Sequence, residues 1–210
     1  MFDFYGWATP NSNRVSILLE ELGLEYVVHP VNIRNAEQFR HEVLALNPYG
    51  KVPIVVDRDP LLVAPVVLFE SGAILIYLAE KGGRFLPTEP SARAEVLRWS
   101  MVALTSLGPF MGQAHHWTAL AKERLPPAID HSVALAARVF AVLDRHLADR
   151  TWVANDYSIA DIAVFPWVAR SDWANQELAL YPALAAWHER VAARPAVQRG
   201  MRVPEGARLE

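Results

Sequence analysis

Two polar side chains stand together where a strand signal gives way to a helix signal. They are the carboxylate of Glu70 and the hydroxyl of Ser71, inside Val66-Val67-Leu68-Phe69-Glu70-Ser71-Gly72-Ala73-Ile74-Leu75. The first turn of a helix leaves backbone N–H groups unpaired and carries a partial positive charge, so an anion can dock there. An acid just ahead of that position suits an ammonium group. A ligand bearing both charges on one carbon is an α-amino acid head. The plainer alternative is that Ser71 caps the helix while Glu70 is solvated, and this pair alone does not choose between the two.

A second pattern lies upstream, in Asn47-Pro48-Tyr49-Gly50-Lys51-Val52-Pro53-Ile54-Val55-Val56-Asp57. Asn-Pro and Tyr-Gly mark a turn, and the β-branched run after Pro53 is strand material. Pro53 falls at the strand's mouth, where proline is tolerated. A cis Val52-Pro53 bond would turn the N–H and C=O of Val52 towards an extended peptide, which could then pair with them as an added strand. Two such bonds contribute about 1 kcal/mol each.

The elements that must position these residues read as follows. Phe2 to Gly6 is a first strand. Residues 7–13 are a polar loop rich in capping residues, and a helix runs from Arg14 to Gly23 with Val15, Leu18, Leu19 and Leu22 on one face. Residues 25–33 read as a second strand and residues 36–46 as a second helix. A strand, a crossover helix and a strand imply a parallel pair. The two stretches above add an antiparallel hairpin and a closing helix that stops at Gly82-Gly83. Beyond that break the strand signal vanishes and helices are expected over residues 91–111, 126–147, 158–168 and 182–193. The expected fold class is therefore an α/β thioredoxin-like domain followed by an all-α helical bundle, with domains at residues 1–86 and 87–210. Ser158-Ile159-Ala160-Asp161 has the spacing of a capping box, so its serine and acid are read as helix nucleation, not catalysis.

Composition narrows the function further. The net charge of −3 gives no electrostatic case for nucleic acid or an anionic membrane, and no apolar run is long enough to span a bilayer, Glu70 interrupting the best candidate. The chain contains no cysteine, so a disulfide framework is excluded and a reducing cytoplasm is the expected location. Met1-Phe2-Asp3-Phe4 lacks a basic segment and an apolar signal core. The terminal Leu209-Glu210 pair is set aside as a possible cloning remnant. The adjacent His115 and His116 do not share a helix face and have no acid at ligand spacing, so no metal is expected.

"KVPIVVD" followed by "LFESGAILIYLAEK", with "TPNSNRVSILLEELGLEY" near the start, resembles the glutathione S-transferase superfamily. "GPFMGQAHHW", "YSIADIAVFPW" and "YPALAAWHERVAARPAV" are most similar to its bacterial nu class, glutathione-dependent disulfide-bond reductases. The likeness runs from Phe2 to about Val197. It implies a cis Pro53, glutathione as the co-substrate, a homodimer, and glutathione binding by Gln38, Lys51, Val52, Pro53, Glu70 and Ser71. It also implies that Thr9 and Asn11 are the catalytic hydrogen-bond donors to sulfur. Phe110, Gln113, His115, Trp117 and His131 would then border the second-substrate pocket. Nu-class relatives often carry an arginine where Pro127-Ala128-Ile129-Asp130-His131 stands here, which bears on whether a second glutathione binds. Tyr5, an alternative sulfur ligand by analogy with other classes, lies within the first strand and reads as packing. The resulting expectation is a disulfide-bond oxidoreductase using glutathione as its only thiol. The alternatives are a conventional conjugating transferase and a non-catalytic glutathione-binding scaffold.

Overall fold

The computed structural model describes residues 1–207; the Leu209-Glu210 pair lies outside them. Two compact units divide the chain, one formed by Met1–Arg84 with the stretch from Ala193 onward, the other by Phe85–Ala192. A single sequence boundary near Leu86 remains our proposal for where the two family domains meet. The compact units differ from that single cut because the last helix returns to the first unit.

In the first unit, β1 (Phe2–Gly6) lies at the centre of a four-stranded sheet of order β2-β1-β3-β4, with β2 at Tyr26–Pro30, β3 at Ile54–Asp57 and β4 at Val66–Phe69. β1 and β2 run parallel, Phe2 opposite Tyr26, as the crossover through α1 (Pro10–Leu22) requires. β1–β3 and β3–β4 are antiparallel, with Phe4 opposite Val55 and Ile54 opposite Phe69. Phe4, Ile17, Leu18, Ile74, Leu75 and Leu78 are buried where the sheet meets α1 and α3 (Ser71–Gly82). Val31, Val43 and Ile54 form a separate cluster into which Tyr5, Leu46 and Val52 pack, and the Tyr5 ring stacks on His29 at 4.4 Å. The packing role read for Tyr5 is thus what the structure displays.

Three local expectations need correction. α1 begins at Pro10 rather than Arg14, because Thr9 is the N-cap and Pro10 takes the first helical position. The second strand is shorter than residues 25–33, giving way to a 3₁₀ turn at Ile33–Asn35. The helix expected over residues 36–46 is broken. Ala36 has φ 57°, Glu37–Phe39 is a 3₁₀ turn, and Arg40 is extended before α2 (His41–Leu46). Gln38 therefore sits in the 3₁₀ turn and does not open a regular helix.

α9 (Pro195–Gly200) packs along α1. The Gly200 carbonyl accepts from Ser16 Oγ at 2.7 Å and from Asn13 Nδ2 at 3.4 Å, and Arg194 donates from Nε and Nη2, one edge of its guanidinium, to the two Glu21 carboxylate oxygens at 2.6 and 2.9 Å. A Cβ on Gly200 would lie 2.5 Å from the Ile17 backbone, so only glycine allows this approach.

The second unit is helical. α4 (Pro90–Val102) and α5 (Gly108–His115) are joined by a π-helical turn at Ala103–Leu107, where Pro109 has no N–H to offer the residue four back. α6 (Pro126–Leu147), α7 (Ile159–Val168) and α8 (Pro182–Ala192) complete it. Ser158 caps α7 with Asp161 answering it, the expected capping box. Asp161 is fully buried and accepts from Val153 N at 2.9 Å, Ser158 N at 3.0 Å and Trp187 Nε1 at 2.8 Å. Burial pushes its carboxyl up to about 6 against those hydrogen bonds.

Ser158→Ala is expected to lower stability by about 1 kcal/mol through loss of the cap. Asp161→Ala should cost more, since three buried donors lose their acceptor. Chemical denaturation of the two variants checks the order, and a folded but inactive Ser158→Ala would contradict the structural role.

Candidate functional site

Thr9, at the start of α1, accepts the Ser12 N–H on Oγ1 at 3.1 Å and donates to Ser12 Oγ at 3.0 Å. The cap requires only a lone pair, so the hydroxyl hydrogen can rotate to another acceptor without undoing it. Asn11, one residue into the helix, lines an open cleft with about 370 Å³ of empty space. Its remaining lining residues are Asn47, Lys51, Val52, Pro53, Glu70 and Ser71. Loop 47–53 and the two helix starts thus converge on one place.

Val52 and Pro53 line the cleft, and the peptide bond between them is cis. Asn47 organises the loop before it. This buried side chain accepts from Tyr49 N at 3.0 Å and donates to the Lys51 carbonyl at 2.8 Å. Gly50 takes φ 62°, and a Cβ there would meet Phe39 at 2.8 Å. Lys51 is exposed, its ammonium 4.3 Å from the centre of the Tyr49 ring.

Glu70 stands at the N-cap of α3 with φ 68° and ψ 112°, and its side chain does not cap its own helix. A left-handed backbone at a non-glycine residue costs on the order of 1–3 kcal/mol and gathers at functional sites. The conformation leaves the exposed Glu70 carboxylate at the cleft while Ser71 is buried at the first helical position. A carboxylate beside an open helix N-terminus is the arrangement that suits a paired ammonium and carboxylate.

Sequence reasoning missed two participants. Asn47 looked like a turn residue only. Arg14 looked like the first polar position of an amphipathic helix, yet its side chain is buried. Its Nη1 donates to Asn11 Oδ1 at 2.7 Å and to Ser71 Oγ at 3.2 Å. Burial lowers the guanidinium to about 9, with the Glu70 charge working the other way, so it remains a cation at neutral pH. The only signal available in the sequence was position, an arginine three residues after Asn11 and so on the same helix face.

Thr9 and Gln38 do not line the cleft itself. Gln38 is half-buried, and its Oε1 has no hydrogen-bond partner in the protein. The residues expected near a second substrate belong to the other unit. Phe110 is half-buried and Gln113 exposed on α5; Trp117 is half-buried, and His131 is exposed on α6. His115 stacks on Trp173 at 4.1 Å and keeps a buried Nδ1 without a partner, and burial lowers the pKa of its imidazole. Among the described residues no three His, Asp or Glu are grouped to hold a metal ion, and no helix is long and apolar enough to cross a membrane.

A sheet of this topology, with a cis-proline loop beside a helix N-terminus, defines a thioredoxin-like unit, here in a chain with an all-helical second unit. The glutathione S-transferase N-terminal domain model matches residues 2–80 and the corresponding C-terminal domain model residues 126–190. The chain belongs to the glutathione S-transferase family. It is 42% identical over 205 residues to the disulfide-bond oxidoreductase YfcG of Escherichia coli K12, covering 96% of this chain and 94% of that protein. It is 36% identical to YghU of the same organism, another disulfide-bond oxidoreductase, over 93% of this chain and 72% of that one. A glutathione transferase from Pseudomonas putida, solved with one glutathione disulfide per subunit, superposes with TM-score 0.91 at 37% identity, covering 97% of this chain and 91% of the other. One from Burkholderia graminis, with two glutathione molecules per subunit, gives TM-score 0.91 at 36% identity, covering 98% and 89%.

Asn47→Ala should leave the Tyr49 amide and Lys51 carbonyl without their partner and cost about 1–3 kcal/mol. Faster amide hydrogen exchange confined to residues 47–52 is the expected readout, and an unchanged loop would show that Asn47 does not organise it.

Proposed function

We propose that the chain is an enzyme that reduces disulfide bonds with glutathione as its only thiol. The observation that carries this reading is the single cleft onto which Asn11, the cis Val52-Pro53 loop and Glu70-Ser71 all open. A γ-glutamyl peptide has an amino acid head for Glu70 and Ser71, an extended backbone for Val52, and a thiol for the start of α1. Lys51 and Gln38 are proposed for its glycyl carboxylate. The likeness to two disulfide-bond oxidoreductases and to structures holding glutathione or its disulfide supports the same choice of ligand.

A free thiol of pKa about 8.5 is only a few per cent thiolate at pH 7. Lowering it by about 1.5 takes about 2 kcal/mol of selective stabilisation of the anion, within reach of one or two hydrogen bonds to a charged sulfur. Asn11 and the rotatable Thr9 hydroxyl are assigned that task, aided by the positive end of α1. The glutathione thiolate attacks one sulfur of the substrate disulfide, the S–S bond breaks, and the departing thiolate takes up a proton. A second glutathione thiolate then attacks the glutathione sulfur of the mixed disulfide, releasing the second substrate thiol and leaving glutathione disulfide. With no cysteine in the chain, the protein forms no covalent adduct and its contribution reduces to positioning and charge. Phe110, Gln113, His115, Trp117 and His131 remain proposed for the co-substrate, and a cytoplasmic homodimer is the proposed form.

Glutathione should reduce bis(2-hydroxyethyl) disulfide rapidly on this protein, with only weak conjugation to a chlorinated nitrobenzene on the same preparation. The reverse ranking would assign it to conjugation, and silence in both with bound glutathione would make it a scaffold. Glu70→Ala and Ser71→Ala should each weaken reduced and oxidised glutathione about tenfold or more by calorimetry. Tyr5→Phe should leave both binding and turnover intact. His131→Arg should tighten a second glutathione, and an unchanged second binding step would remove His131 from the site.

A further inference from the structure

We infer that Arg14 is a positioning residue that turns both Asn11 and Ser71 into hydrogen-bond donors toward the ligand. The inference rests on the glutathione reading above and adds a residue that reading does not use.

Asparagine and serine are each able to donate or accept, and which they offer to a ligand depends on what else they touch. A guanidinium is different, since it has five N–H donors and no acceptor. The atom of Asn11 that Arg14 Nη1 meets at 2.7 Å must therefore be the carbonyl Oδ1. With Oδ1 engaged there, the edge the amide can turn to the cleft is its NH₂. The opposite setting would aim a carbonyl oxygen at a thiolate, and the two would repel. The same logic holds at Ser71. Its Oγ accepts from Arg14 Nη1 at 3.2 Å, so its own O–H points to some other acceptor, as a ligand carboxylate at the helix start would be. One nitrogen with two hydrogens can serve both contacts at once.

The guanidinium is held for this purpose. Arg14 is only 2% exposed, on the helix that carries Asn11 and facing the start of α3. Its positive charge is opposed by the carboxylate of Glu70, the residue next to Ser71. The sulfur-side donor and the head-group-side donor are thus set by one buried cation. A lysine could supply the charge, but its ammonium rotates about its last bond, whereas the two N–H directions of the planar Arg14 Nη1 are fixed.

The test is a double-mutant cycle on the full chain, with ultraviolet absorbance of bound glutathione thiolate against pH as the readout. Arg14→Met should raise the pKa of the bound thiol by about one pH unit and lower kcat at neutral pH about tenfold. In an Asn11→Ala background the same change should leave the thiol pKa where Asn11→Ala alone puts it, because Arg14 then has no amide to orient. Asn11→Asp, which keeps a partner for Arg14 but presents only acceptors, should raise the thiol pKa beyond the Asn11→Ala value. If Arg14→Met does not fold, Arg14→Lys enters the same cycle, and Asn11→Asp stands independently of either. Additive shifts, or a bound thiol unmoved by both Arg14→Met and Asn11→Asp, would overturn the inference while leaving glutathione-dependent reduction in place. A wild-type protein that gives no heat with glutathione would overturn the functional reading, and this one with it.

Discussion

A buried cation organises the first unit. Removing a guanidinium from water is unfavourable unless it is hydrogen-bonded and faced by opposite charge. Arg14 meets those needs through Asn11, Ser71 and the field of Glu70, all of which border the cleft. The starts of α1 and α3 are consequently coupled. A shift of either start would stretch a hydrogen bond to this buried charge.

The position of α1 depends in turn on the end of the chain. Asn13 and Ser16 are polar residues inside a buried helix, and they are tolerated because the Gly200 carbonyl accepts from both. The close approach that brings this carbonyl within reach exists only because residue 200 has no side chain. The bidentate Arg194–Glu21 pair, with Glu21 largely buried, adds a directional contact, whereas the more exposed Arg199–Glu20 pair contributes little. A helix far away in sequence thus helps hold the helix that bears Thr9 and Asn11.

The residues that line the cleft occupy element ends and the loop before β3, while strands and helix interiors serve as scaffold. Two positive-φ residues fall in the same region, Glu70 at the start of α3 and Gly50 beside the cis-proline loop, while others such as Ala36 lie elsewhere. The second unit shows the contrasting use of similar chemistry. Its Ser158 and Asp161 resemble a reactive pair by type, but every partner of the buried carboxylate is a backbone amide, a serine or an indole within the same core. Geometry separates a cap from a catalyst where residue type does not.

Much of this was legible in the sequence. Alternation in Phe2–Gly6, the β-branched run after Pro53 and the helical spacing after Ser71 are local patterns, and local patterns survive unchanged when they agree with the fold. The pairing of Glu70 with Ser71 could be read because a strand-to-helix junction dictates what its residues face. The break in the second helix could not, since it hangs on Ala36 adopting a left-handed backbone that its residue type does not favour. Nor could the early start of α1, where Asn11 and Ser12 pair locally with Arg14 and Thr9 and Asn13 reaches a distant partner, the Gly200 carbonyl. Arg14 is the clearest case. A charged residue in a sequence is by default a solvated one, and only the tertiary structure decides that this one is buried between two helix starts, because burial and partnership belong to neighbours as much as 57 residues apart in the chain.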